Sequence, residues 1–225
     1  MQYTTDDVRN KTHQNRLTIG FHDEYAKWQE EPAVFTEHTL TINGHPVMED
    51  WEDSYMQKLA DIAARNGGSV LEVGYGMGIS ANYIQAHPID EHLIIEANRE
   101  VYKKLAIFAQ TSTHPVRPLF GFWQDAIKGI ADNSIDGILF DTYPLTQDEI
   151  HCNHFDFFHE AYRILKPGGI LTYYSDEVTD YSPTHLEKLQ AAGFTNIEKE
   201  ICRIDTPAEC QYWQADTMIA PIITK

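Results

Sequence analysis

The chain is poor in cysteine and in basic residues, and it has no uninterrupted hydrophobic run of membrane length. Three cysteines in 225 residues form no obvious disulfide framework, so a reducing compartment, the cytoplasm, is expected. The N-terminus is polar and lacks a signal-peptide core, and we therefore expect no membrane partner. Only 17 Lys and Arg accompany 34 Asp and Glu, which gives a net charge of −17 at pH 7. Such a surface repels the phosphates of nucleic acid, so no nucleic-acid partner is expected.

The glycine-rich segment of the chain is not a P-loop, because no G-x-x-x-x-G-K-[ST] sequence occurs. It reads Val-Leu-Glu-Val-Gly-Tyr-Gly-Met-Gly over residues 70–78, so Glu72 precedes three alternate glycines. Glycines at these positions let a strand turn sharply into a helix and let a ligand lie on the backbone. Glu96 follows at the end of the next apolar run, at a distance that suits a carboxylate bound to ribose hydroxyls.

The spacing of these glycines distinguishes between cofactors. A dinucleotide site has its third glycine one residue later, next to a helix N-terminus that faces a pyrophosphate. The pattern E-x-G-x-G-x-G instead resembles the first motif of class I S-adenosylmethionine-dependent methyltransferases. A glycine turn that binds nothing is the alternative, and the position of Glu96 argues against it. We therefore predict S-adenosyl-L-methionine as the cofactor.

The order of apolar patterns predicts the fold. Residues 1–45 read as an irregular N-terminal arm or lid, and residues 46–225 as one class I methyltransferase domain. Apolar positions from Pro46 to Arg65 follow a helical period. Strand-like and helix-like runs then alternate, which predicts an α/β, Rossmann-like, seven-stranded, mostly parallel sheet with helices on both faces. The predicted strands are 69–73, 92–96, 116–120, 136–140, 170–174, 196–203 and 211–223, and the predicted helices lie near 78–87, 98–110, 151–165 and 183–192.

Two acidic residues are candidates for the chemistry. Asp141 follows an apolar run, and open α/β sheets bind ligands at the carboxyl ends of their strands. The alternative is that Asp141 only caps the turn before Pro144. Glu52 lies midway between Met48 and Met56 at helical spacing, so the methionines could pack on an adenosyl group while Glu52 faces the reacting centre. The alternative is that both methionines fill the core and Glu52 is exposed.

Six segments, in order along the chain, resemble the guanidinoacetate N-methyltransferase family. They are residues 46–52, 70–77, 88–92, 140–144, 165–173 and 218–225, of which the Phe-Asp-Thr-Tyr-Pro sequence at 140–144 is specific. The resemblance implies that Glu52 and Asp141 are the catalytic residues and hold the guanidino group of a substrate near Tyr143. It also implies contacts between S-adenosylmethionine and Trp28, Met48, Met56, Glu72, Gly74, Tyr75, Gly76, Met77, Gly78, Ile79, Ser80, Glu96, Trp123, Gln124 and Asp141.

The chemistry that the resemblance implies agrees with the properties of these side chains. A guanidinium stays protonated at neutral pH, and two carboxylates can hold it, align one nitrogen with the methyl group and accept the departing proton. The methyl donor carries the electrophile, so no metal is required. The sequence His-Cys-Asn-His at 151–154 superficially resembles a metal cluster, but it lacks a second ligand pair, and no metal site is predicted.

One departure from the family bears on the substrate. In the family, backbone amides after the strand that contains residues 171–173 receive the carboxylate of guanidinoacetate; here that segment is shorter and contains Asp176 and Glu177. Either these acids point into water, or they bind the ammonium group of a longer substrate. We therefore expect methylation of free L-arginine slightly ahead of guanidinoacetate, by a monomer or homodimer. The alternatives are a protein arginine methyltransferase and a non-catalytic S-adenosylmethionine-binding regulator.

Overall fold

The N-terminal residues form helices and a small sheet, so the prediction that they are irregular is wrong. The computed structural model of the protein describes residues 3–21 and 25–225, so positions 1–2 and 22–24 of that arm lie outside it. Thr4 and Asp7 cap the first helix reciprocally, each side chain accepting a hydrogen bond from the other residue's amide. That helix is too polar to show an apolar period in the sequence. The elements are helices α1 (Thr5–Ile19) and α2 (Tyr25–Glu30), then antiparallel strands β1 (Ala33–Phe35), β2 (Thr39–Ile42) and β3 (His45–Glu49).

Seven strands of the described chain form one central sheet, as the alternating pattern predicted. They are β4 (Gly68–Val73), β5 (Ile89–Glu96), β6 (Val116–Phe120), β7 (Ile135–Phe140), β8 (Leu165–Tyr173), β9 (Asn196–Arg203) and β10 (Thr217–Thr224). Their order is β6-β5-β4-β7-β8-β10-β9, in which β10 is antiparallel to both of its neighbours and the other pairs are parallel. From β4 the chain continues first to β5 on one side and later to β7 on the other. The carboxyl end of β4 is therefore the switch point at which such sheets bind ligands.

Helices cover both faces of this sheet. They are α3 (Asp53–Ala64), α4 (Ile79–Gln85), α5 (Arg99–Thr111), α6 (Trp123–Ala126), α7 (Phe158–Ile164) and α8 (Pro183–Ala192). Successive strand residues point to opposite faces, so Val70 packs in the cluster that contains Leu59 of α3, and Leu71 packs in the cluster that contains Leu189 of α8. No helix in the described ranges is long and apolar enough to cross a membrane.

Three predicted element boundaries need correction. The helix expected from Pro46 begins only at Asp53, because residues 45–49 pair with β2 as strand β3 and a short 3-10 turn follows. Tertiary pairing here overrides a helical apolar period. The helix expected over 151–165 is confined to Phe158–Ile164, since His151 has a φ of 62° and cannot belong to a right-handed helix. The last strand begins at Thr217 rather than at residue 211.

Candidate functional site

The glycine turn after β4 has the conformation for which its sequence is suited. Gly74, Gly76 and Gly78 have φ values of +95°, +54° and +78°, a region that L side chains rarely adopt. A Cβ atom on Gly74 would lie 1.9 Å from the backbone oxygen of Asp141. Gly74 therefore allows the carboxyl ends of β4 and β7 to meet, and it places Asp141 beside the turn.

Glu96 lies at the carboxyl end of β5, directly beside the same turn. Its Oε2 accepts a hydrogen bond of 3.0 Å from the Tyr75 amide, and its Oε1 accepts one of 2.6 Å from the Asn98 amide. Burial raises the pKa of this carboxyl, and the amide hydrogen bonds oppose that effect. These amides hold the carboxylate in place beside the glycine turn.

A cavity of 560 Å³ opens over the glycine turn, and we call it the large cavity. Its size is typical of small-molecule sites. Apolar walls and a few polar groups suit an adenosyl ligand, and the backbone at two glycines leaves room for it to approach closely. The predicted cofactor residues that line the large cavity are Trp28, Met48, Gly74, Gly76, Glu96, Trp123, Gln124 and Asp141.

Other predicted cofactor residues lie behind the turn instead of lining the large cavity. Met56 lies on α3 and is fully buried in the core, whereas Met48 belongs to β3, so the expected helical stripe of Met48 and Met56 does not form. Glu72 is also fully buried, accepts a hydrogen bond from the Ser80 hydroxyl and lies 3.1 Å from Nε2 of His92. The Ser80–Glu72 hydrogen bond joins β4 to the start of α4. Tyr75, Met77, Gly78 and Ile79 likewise do not line the large cavity.

A second cavity, of 80 Å³, adjoins the first and is lined by three acids, so we call it the acidic cavity. The acids are Glu52 from the 3-10 turn before α3, Asp141 after β7 and Asp176 after β8. Asp141 lines both cavities, as does Tyr143 two residues later. The sequence therefore predicted correctly that Glu52 and Asp141 come together, although they are far apart in the chain. Asp141 lies where a ligand in one cavity would meet a ligand in the other.

The acids of this cavity are electrostatically unfavourable without a cation. Burial, with the nearby charge of Asp141, raises the pKa of Glu52 from 4.5 to about 8. Burial, with the charges of Asp176 and Glu72, raises the pKa of Asp141 from 3.8 to about 7. A cation bound between these carboxylates would relieve both effects, because it places an opposite charge next to each of them. The acidic cavity is thus suited to a cationic group such as a guanidinium.

Asp176 and Glu177 are neighbours in sequence with different surroundings. Asp176 lines the acidic cavity, has a φ of 54°, and its Oδ1 lies 3.3 Å from Nδ1 of His151. Glu177 is fully buried elsewhere: its Oε1 accepts hydrogen bonds from Arg9 at 2.9 Å and from the Ser182 amide at 3.0 Å. Burial opposes ionisation, but these bonds and one to His185 lower the pKa of Glu177 to about 2. Glu177 does not line the acidic cavity, and Arg9 of α1 binds its Oε1.

Several residues that line the acidic cavity were not predicted from the sequence. Tyr212 donates a 2.6 Å hydrogen bond to Oε1 of Glu52. Tyr174, the residue after β8, lines the same cavity. Thr12 and Arg16 of α1 also line the cavity, as does His151, which the sequence showed only as part of an apparent metal cluster. No local motif marks these positions, because they reach the cavity only through tertiary packing.

Known proteins resemble this chain over most of its length. A family model for guanidinoacetate N-methyltransferase matches residues 20–225. Protein arginine N-methyltransferase 2 of Yarrowia lipolytica is 27% identical over 211 residues, which are 82% of this chain and 43% of that protein. The protein of the same name from Saccharomyces cerevisiae is 28% identical over 181 residues, or 76% of this chain and 40% of its own length. The chain thus spans less than half the length of these curated relatives.

Solved structures resemble the fold at low sequence identity. Spermidine synthase from Thermotoga maritima is 13% identical, with a TM-score of 0.59 over 86% of this chain and 72% of its own. TYW2 of M. jannaschii, solved in complex with AdoMet, is also 13% identical, with a TM-score of 0.54 over 86% of this chain and 84% of its own. At this identity the likeness establishes the α/β methyltransferase fold and nothing finer.

Proposed function

The chain belongs to the guanidinoacetate N-methyltransferase family, and we propose that it methylates the guanidino group of a free small molecule, with S-adenosylmethionine as the methyl donor. Methyltransferase activity follows from the family and the fold. The finer assignment depends on one observation: two carboxylates, those of Glu52 and Asp141, line the acidic cavity, and Asp141 also lines the large one.

The large cavity would hold the cofactor. Glu96 would accept hydrogen bonds from the ribose hydroxyls, because it lines the large cavity and backbone amides hold its carboxylate in place. Trp28 stacks on Tyr143 with ring centroids 5.3 Å apart, and it would cover the site from α2. When bound, S-adenosylmethionine supplies an electrophilic methyl group on its sulfonium sulfur.

The acidic cavity would hold and deprotonate the guanidinium. Glu52 and Asp141 each offer two carboxylate oxygens, so together they can bind the planar cation on two sides and fix its orientation. Asp141 would accept the proton that the guanidino nitrogen loses as its new bond to carbon forms. Both roles fit acids whose pKa values are raised in the empty site and fall when a cation arrives.

Between the two leading substrates, we propose L-arginine ahead of guanidinoacetate. Asp176 lines the acidic cavity as a third acid, beyond the two needed for the guanidinium. The α-ammonium of L-arginine would give this carboxylate a partner, whereas guanidinoacetate carries no ammonium. Glu177 binds Arg9 and does not line this cavity, so Asp176 is the acid that would pair with the ammonium group.

Arginine within a protein is the second candidate, because the curated relatives are named protein arginine N-methyltransferases. The geometry favours a small molecule instead. Helix α1 contributes Thr12, Arg16 and Ile19 to the wall of an 80 Å³ cavity, which leaves little room for a polypeptide backbone to enter. Mass spectrometry after incubation with S-adenosylmethionine separates the candidates.

The assay offers L-arginine, guanidinoacetate, agmatine and an arginine-containing peptide in parallel reactions. We expect one added methyl group on L-arginine, with a higher kcat/KM than on guanidinoacetate. Methylation of the peptide alone would overturn the small-molecule assignment. Cofactor binding without turnover on any of the four would indicate a regulator that has lost catalysis.

A further inference from the structure

Arg16 is a buried cation that no sequence motif and no family match accounts for. It lies on α1, before the first residue that the family model covers. Arg16 is only 5% exposed, and it lines the acidic cavity together with three acids, Glu52, Asp141 and Asp176. Among the described residues that line this cavity, it is the one Arg or Lys. A cavity built for a cation thus has a permanent positive charge in its wall.

The hydrogen bonds of Arg16 are incomplete. Its Nη2 donates a 2.7 Å bond to the backbone oxygen of Pro144, and its Cζ lies 4.3 Å from the ring centroid of Tyr143. Its Nε is buried and has no acceptor within residues 3–21 and 25–225. A buried donor without a partner costs free energy, and arginine binds carboxylates through just such adjacent donors. The side chain is therefore fixed in place, and one of its donors is unused by the part of the chain that the structure describes.

Other polar atoms of the same cavity are unsatisfied as well. In the described chain, neither the Tyr174 hydroxyl nor Nε2 of His151 has a hydrogen-bond partner, although both are buried. Buried polar groups in proteins nearly always have partners, so several orphans around one cavity indicate a polar ligand. Three acids account for a cationic ligand, but they leave the unpartnered Nε–H of Arg16 unexplained. The ligand must carry an anionic group in addition to its cation.

Arg16 is also close enough to the acids for one small molecule to reach both. Arg16 donates a hydrogen bond to the backbone oxygen of Pro144, which lies three residues after Asp141. The α-carbons of Asp141 and Pro144 are therefore at most about 11 Å apart. Guanidinoacetate and L-arginine each carry a guanidinium and a carboxylate within such a span. An arginine residue inside a polypeptide has no carboxylate at this position.

We propose that Arg16 binds the carboxylate of a guanidino acid and makes α1 the element that selects such acids over other guanidines. This inference rests on the proposed function and extends it, because it names the second group that the substrate must carry. The guanidinium lies between Glu52 and Asp141, and the carboxylate accepts hydrogen bonds from Arg16.

The test compares L-arginine with agmatine, which differs by lacking the carboxylate. Arg16→Gln should lower kcat/KM for L-arginine by about ten- to a hundredfold, the effect of a lost charged hydrogen bond, and change that for agmatine by less than about twofold. Calorimetry of both compounds with the cofactor-free protein should show the same selective loss of affinity. Arg16→Lys keeps the charge without the planar fork, and it should retain part of the L-arginine preference.

Arg9→Gln is the matched control. Arg9 lies on the same helix, and its Nη2 binds Glu177 at 2.9 Å, so its loss loosens α1 without touching the acidic cavity. This substitution should change kcat/KM for L-arginine and for agmatine by the same factor. If Arg16→Gln also affects both compounds equally, Arg16 only holds the helix and the proposal is wrong.

The binding measurement separates this proposal from the proposed function. Selective loss of L-arginine binding in Arg16→Gln, together with no methylation of any guanidine by the wild type, would overturn the methylation assignment and keep the carboxylate site. If the wild type binds L-arginine no better than agmatine, the carboxylate site is overturned whatever the enzyme methylates.

Discussion

The hydroxyl of Tyr212 donates a 2.6 Å hydrogen bond to Oε1 of Glu52, a residue 160 positions earlier in the chain. The amide of Glu49 donates a second bond of 3.0 Å to the same oxygen. Both bonds favour the ionised form of a carboxyl whose pKa burial raises to about 8. Tyr212 therefore orients Glu52 and helps it to act as an anion towards a cationic substrate.

Replacing this tyrosine should weaken substrate binding. In Tyr212→Phe the ring remains and the charged hydrogen bond is lost, so the affinity for L-arginine should fall by about 1.5–3 kcal/mol while cofactor affinity stays unchanged. Calorimetry measures both affinities. Tyr181→Phe is the control, because the Tyr181 hydroxyl binds the backbone oxygen of Glu198 outside both cavities. Equal L-arginine affinity in Tyr212→Phe and the wild type would remove Tyr212 from the site.

The cofactor assignment predicts a selective effect at Glu96. Glu96→Gln keeps the shape of the side chain but loses its charge and one acceptor, so S-adenosylmethionine should bind about 1.5–3 kcal/mol more weakly. Glu91→Gln is a matched control on β5, where Glu91 accepts a hydrogen bond from Ser69 away from the large cavity. Unchanged cofactor affinity in a folded Glu96→Gln protein would show that the ribose lies elsewhere.

The raised pKa of Asp141 predicts how stability depends on pH. Because the folded-state value is about 7 and the ordinary value is 3.8, the folded state holds a proton that the unfolded state has already lost between these values. The stabilisation from this group is complete below pH 3.8 and is lost as pH rises through 7. The asparagine of Asp141→Asn cannot ionise, so the variant should not lose this part of its stability as pH rises.

Denaturant unfolding of the substrate-free protein at pH 5 and pH 8 measures the difference. The free energy of unfolding of Asp141→Asn, relative to wild type, should increase by roughly 2 kcal/mol between the two pH values. Asp205→Asn, at an exposed position outside both cavities, should show no such change. A relative stability of Asp141→Asn that is the same at both pH values would mean that Asp141 is ionised in the empty site.

The sequence predicted the half of the site that depends on backbone conformation. Three glycines with positive φ, Glu96 at the end of β5 and Asp141 at the end of β7 all follow from strand ends and turn chemistry, which are local. The seven-stranded sheet followed for the same reason. Met48 shows the limit of this approach: its spacing indicated a helix, but pairing between β2 and β3 placed it on a strand.

The other half of the site depends on packing that the sequence does not encode locally. Helix α1 is polar, so no apolar period marked it, and its position over the acidic cavity comes from distant contacts such as Arg9 with Glu177. Adjacent acids also look equivalent in a sequence, so the sequence did not distinguish Glu177, which binds Arg9, from Asp176, which lines the acidic cavity. Tyr212 and Arg16 could be found only once the chain had folded around Glu52 and Asp141.

Turnover by Asp141→Asn tests the central claim most directly. The variant keeps the size of the side chain and loses the charge that holds the guanidinium and accepts its proton, so methylation of L-arginine should fall at least about a hundredfold. Affinity for S-adenosylmethionine should remain close to that of the wild type, and Asp205→Asn should keep full activity. Wild-type turnover by Asp141→Asn would contradict the account, since the proton would then leave through another residue.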